Sequence, residues 1–153
     1  MLATNCIEVT GGYQGQRNRV ESVATFCIDQ LLPKHRTLEI DFHLGNYEQL
    51  ENIMGSCLHV HGNEFQIAID KKQKLYDLIL TVCHEMVHVK QYARRELKED
   101  YPNTWWKGMT YTDARCYPWE LEAWKMQKTL AHNYIKQQKL GTIKALKSLD
   151  KRS

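Results

Sequence analysis

The chain lacks most of the features that would classify it at once. Only three of its 153 residues are proline and eight are glycine, and no stretch is repetitive, linker-like or low in complexity. No apolar run approaches the roughly 20 residues of a membrane span. The amino terminus lacks the basic-then-apolar order of an export signal. An excess of one charge is missing too, since 21 Lys and Arg stand against 18 Asp and Glu for a net +3. A genuine nucleic-acid binder more often shows a concentrated basic patch. The five cysteines (Cys6, Cys27, Cys57, Cys83 and Cys116) are scattered, odd in number and contain no C-x-x-C pair, so neither a zinc ribbon nor a disulfide framework is indicated. Cys83 reads as a small core residue, and Cys116 as a structural one. These absences lead to the expectation of a cytoplasmic protein with reduced thiols, monomeric and without membrane contact.

What is present is an ordinary globular composition, 42% hydrophobic and 25% charged, and a length that fits one domain, residues 1–153, with a real core. Apolar positions recur at helical spacing over about residues 16–32, with Val20, Val23, Cys27 and Leu31 on one stripe and Pro33 closing the segment. Residues 37–44 alternate strictly, placing Leu38, Ile40, Phe42 and Leu44 on one face of a strand. Residues 57–61 and 64–70 alternate likewise around Gly62-Asn63, which predicts a hairpin. A long helix is expected to follow to about residue 97, capped by Asp70 with Gln73 completing a capping box. Residues 98–117 read as an aromatic-rich loop. A further helix begins at Pro118, and residues 139–153 read as a basic tail helix. The order predicts an α+β fold with a small mixed or antiparallel sheet, an N-terminal helix and two later helices.

The long helix carries His84-Glu85-Met86-Val87-His88, an H-E-x-x-H motif. Two histidines four apart on a helix lie about 40° apart, so both imidazoles can ligate one metal ion. Glu85 sits about 100° further round, placed to reach a metal-bound water rather than the metal itself. Projected at 100° per residue, Leu75, Leu78, Ile79, Val82, Met86, Val89 and Ala93 form one apolar arc. His84, Glu85 and His88 fall on another side with Asp77, Thr81, Tyr92 and Arg95, so they are not core histidines in the ordinary sense. The competing reading is a solvated face bearing the motif by accident.

Catalytic zinc sites take three protein ligands and a water, which requires a third ligand downstream. In the helix after Pro118, residues Trp119, Ala123, Met126, Leu130 and Tyr134 share an apolar arc, and Glu120 falls inside it. A carboxylate facing a core needs a strong partner, and zinc is one. Glu122 falls just outside that arc and reads as a solvated helix residue, the alternative to Glu120.

With these residues in hand, the chain resembles the gluzincin-type zinc metallopeptidases, in which H-E-x-x-H is followed by a helix bearing a ligand Glu, often within E-x-x-A. Glu120-Leu121-Glu122-Ala123 matches that pattern and again selects Glu120. The resemblance extends over about residues 58–131 and is to compact members: minigluzincins, SprT-like and ImmA/IrrE-like proteins, many of them phage-encoded. The sequence departs from the pattern at Trp124, where Asp or Asn often orients a metal ligand, which leaves Asp77 as a substitute. The metzincin extension is absent, since Val89-Lys90-Gln91-Tyr92 follows the motif.

The resemblance implies a zincin-like domain binding one Zn2+ through His84, His88 and Glu120, with Glu85 as general base in peptide-bond hydrolysis. It also implies that an edge strand binds substrate by backbone pairing, and residues 64–70 are the candidate. Tyr92, Tyr111, Tyr117 and His61 are candidate donors to the oxyanion. His59 and His61 share a strand face and read as exposed strand histidines rather than as a second metal pair. Three readings follow: a zinc metalloendopeptidase acting on protein or peptide; a regulatory or DNA-associated protein using the same fold, suggested by Lys136, Lys139, Lys144, Lys147, Lys151 and Arg152; and a phage-type structural component with a vestigial site. The intact Glu85 argues against the last.

Overall fold

In the computed structural model, residues 4–48, 53–112 and 117–141 are described. Among them the chain forms three helices and two small sheets, an α+β arrangement. The elements in chain order are β1 (Cys6–Gly11), α1 (Gln14–Leu31), β2 (Glu39–Gly45), β3 (Gly55–His61), β4 (Glu64–Asp70), α2 (Leu75–Ala93), β5 (Leu97–Asp100), β6 (Asn103–Trp106), β7 (Met109–Tyr111) and α3 (Pro118–Gln137).

The larger sheet has the order β1-β2-β4-β3, with β1, β2 and β4 parallel and β3 antiparallel to β4. Strict alternation in β2 buries Ile40, Phe42 and Leu44 and exposes Glu39, Asp41 and His43. In β4 the same period buries Phe65, Ile67 and Ile69. These six side chains form one face of the core, and α1 and α2 supply the other through Val20, Val23, Cys27, Ile79, Val82 and Met86. The hairpin joining β3 to β4 turns on Gly62, whose φ of 52 lies in the left-handed region open to glycine.

Several expectations are corrected. The first element is a strand, β1, rather than a helix: Cys6-Ile7-Glu8-Val9-Thr10 alternates only weakly, and pairing with β2 makes it a strand. Residues 64–70 are not an edge strand, since β4 lies between β2 and β3; the edges are β1 and β3, and β3 is the one beside α2. Asp70 does not cap α2. It is fully buried and its carboxylate accepts the backbone N–H groups of Glu48 and Lys72, while Lys74 occupies the N-cap position. Helix α2 ends at Ala93 rather than residue 97, because Arg95 turns left-handed with φ 58. Within residues 98–117, expected as loop, residues 98–111 join Leu97 in the antiparallel meander β5-β6-β7, and its second turn, Lys107-Gly108, has positive φ at both residues, as a tight hairpin turn requires. The expected tail helix is absent at its start, where Lys139 and Gly141 take φ 57 and 97; residues 142–153 lie outside the described residues. Among the described residues no helix is long and apolar enough to cross a membrane.

Candidate metal centre

Helix α2 is buried on nearly every side. The apolar arc anticipated from the sequence packs on the sheet and α1, while the side bearing the H-E-x-x-H residues is covered by α3 and flanked by β3. His88 is 7% exposed and Glu85 4%, so the solvated-face reading does not hold. Donor atoms of His84, Glu85 and His88 lie within 4.8 Å of one another.

Helix α3 brings Glu120, in its first turn, against the two histidines. One carboxylate oxygen lies 2.8 Å from His88 Nε2 and the other 3.2 Å from His84 Nε2. Tetrahedral zinc with ligand bonds of 2.0–2.1 Å requires ligand atoms about 3.3 Å apart, so this donor set fits such an ion with small adjustments. Hydrogen bonds from the two imidazoles hold the Glu120 carboxyl well below the usual carboxylate range. Burial alone depresses the His88 imidazole, but Glu120, Glu85 and Gln91 together raise it. Glu122 is not brought to the centre: it pairs with Lys90 at 3.0 Å and accepts from Gln91 Nε2 at 3.1 Å. It is therefore neither a ligand candidate nor simply solvated.

The outward ring nitrogens are also held. His84 Nδ1 meets Gln127 Oε1 at 2.7 Å and His88 Nδ1 meets Gln91 Oε1 at 2.8 Å. Amide oxygens accept, so each Nδ1 donates a proton outward; an ion taken up at the centre would displace the Nε2 protons that Glu120 accepts and leave each Nε2 lone pair as a ligand. Gln91, fully buried, is itself fixed by donating to Trp119 O and to Glu122. Sequence reasoning missed both glutamines. The available signal was Gln127, seven residues after Glu120 and so on the same face of its helix. Asp77, offered from the sequence for this role, lines the cleft nearer the start of α2, and the Nδ1 positions belong to the glutamines.

Glu85 faces a cleft of about 660 Å³ that also borders Gly55, Ser56 and Cys57 of the edge strand. Its Oε2 is buried without a hydrogen-bond partner, and burial raises its pKa above the ordinary glutamate value. Strand β3 reaches this point because residue 55 is glycine: a Cβ there would lie 2.6 Å from Thr81 Cγ2 and 3.4 Å from Glu85 Cγ. Of the four candidate oxyanion donors only Tyr92 lines the cleft, with its hydroxyl donating to Glu99 at 3.0 Å. Tyr111 and Tyr117 pack against Trp119. His61 pairs with Glu64 on the exposed hairpin. His59 stacks between Phe65 and Tyr92 and bonds Gly62 O, so it makes no pair with His61. Cys83 is buried beside Cys27, and Cys116 lies outside the described residues.

No family model, curated protein or solved structure matches this chain. The site therefore rests on its own geometry.

Proposed function

We propose that the protein is a zinc-dependent peptide hydrolase in which His84, His88 and Glu120 hold the metal and Glu85 is the general base. The observation that carries this reading is the convergence beside a cleft of a carboxylate and two imidazoles, each anchored at Nδ1 by a glutamine amide. When bound, zinc supplies a Lewis acid that acidifies water and polarises a carbonyl. Glu85, one helical step from His84 and held partly out of water, takes the proton of the attacking water and returns it to the departing amine. Among the described residues no strand pairs with the outer edge of β3, which offers backbone N–H and C=O groups to an extended peptide.

Purified protein equilibrated with zinc should retain about one ion per chain. Glu85→Gln should keep the ion and lose peptide hydrolysis; Glu120→Ala should lose the ion, and Glu122→Ala should retain it. Protein that holds no zinc after reconstitution would overturn the reading. The DNA-associated alternative drew on a lysine-rich tail that from residue 142 lies outside the described residues, and no feature of the cleft favours it.

A further inference from the structure

The cleft beside the metal centre is lined by charge of one sign. Asp77, Glu85, Glu99 and Glu120 border it, and among the described residues no Lys or Arg does, although the whole chain has a net charge of +3. Glu85 and Glu120 belong to the centre itself. Asp77 and Glu99 do not: Asp77 stands in the first turn of α2, and Glu99 on β5 accepts the hydroxyl of Tyr92, a full turn beyond His88. Both are exposed, and they flank the centre at its two ends.

Strand β3 follows the same axis. Its residue 55 lies against Thr81, and further on His59 stacks on Tyr92 at 4.8 Å, so strand and helix run alongside in one direction. From Asp77 to Tyr92 the helix rises about 22 Å, the length of about seven extended residues. A segment laid along the free edge of β3 thus passes one carboxylate, then the centre, then the other. The groove is more than an acidic patch in solvent, because Glu85, 4% exposed, has an oxygen without a partner at its floor. A walled cleft also concentrates the field of its charges on whatever enters.

We propose that the cleft selects peptide segments bearing Lys or Arg within about three residues on each side of the bond to be cut, with Asp77 and Glu99 as the selecting groups. The proposal rests on the hydrolase reading above, but its test does not depend on turnover. Fluorescently labelled extended peptides of one scaffold, flanked by Lys, by Gln or by Glu, are titrated into zinc-equilibrated Glu85→Gln protein and followed by anisotropy. The same peptides are offered to the unaltered protein for cleavage.

The Lys peptide should bind about tenfold more tightly than the Gln peptide at low salt, with the Glu peptide weakest, and the gap should narrow as salt is raised. Non-specific attraction to a chain of net +3 predicts the opposite order. Asp77→Asn combined with Glu99→Gln should abolish the preference while leaving zinc content unchanged, since Gln still accepts from Tyr92. Equal or undetectable binding of all three peptides, or a preference that survives the double substitution, would overturn the proposal. Binding selectivity without any cleavage would instead remove the hydrolase reading and leave the basic selectivity standing.

Discussion

At the scale of single residues, the proposed metal centre is backed by side chains that occupy no ligand position. Gln127 and Gln91 accept from Nδ1 of His84 and His88 at 2.7 and 2.8 Å, and substitutions behind a metal-ligating imidazole typically cost 10–100-fold in affinity. Gln127→Leu, on the partly exposed partner, should weaken zinc binding by about tenfold or more in competition with a chromophoric chelator. An affinity equal to that of the unaltered protein would show that the amide is a bystander. Glu122 illustrates the limit of one-dimensional reading. A helical projection set it just outside the apolar arc, but it meets Lys90 and Gln91, contacts fixed by how α2 and α3 cross. Lys90 is only 7% exposed and also meets Glu96 at 2.7 Å. Such a cation stays buried because two carboxylates surround it.

At the scale of elements, the approach of the edge strand to α2 is set by Gly55. Gly55→Ala would drive a methyl into Thr81 Cγ2, and Thr81 is held in place by its hydrogen bond to Gln73. We expect a loss of about 1–3 kcal/mol, read from the urea midpoint, and partial recovery when Thr81→Ser removes the opposing methyl but keeps the hydroxyl. No recovery would mean that the strain lies elsewhere in the strand. The strongly periodic elements were legible in sequence: α1, β2, the β3–β4 hairpin and the apolar face of α2 each follow a clear period of 3.6 or 2. The meander was not legible, because strands of three or four residues such as Leu97-Lys98-Glu99-Asp100 are too short and polar for a period to show. Long-range pairing and the packing of Trp106 and Tyr111 on Trp119 make them a sheet.

At the scale of the whole molecule, the proposed metal joins two helices separated by a 24-residue connection, Arg94 to Tyr117. An ion bound only by the folded chain stabilises it by mass action, about 2.7 kcal/mol at a free concentration one hundred times Kd. Removing zinc with a chelator should therefore lower Tm by roughly 5–11 °C at that loading, and Glu120→Ala should be insensitive to chelation. An unchanged Tm in the unaltered protein would separate this site from a folding-linked metal centre.

The sequence by itself determined the helix that carries His84, Glu85 and His88, its apolar face and the choice of Glu120 over Glu122 as the carboxylate to test. Those features are local, written in spacing that a helix converts directly into direction. Tertiary structure alone decided which strand forms the edge, which amides hold the imidazoles and that the cleft is lined by acids. Each of these joins residues distant in sequence: Gln127 reaches His84 across 43 positions, and Glu99 and Asp77 share a cleft only because β5 and α2 fold against one groove. Strand order and helix crossing are set by how whole faces bury against one another, and no local period encodes that sum.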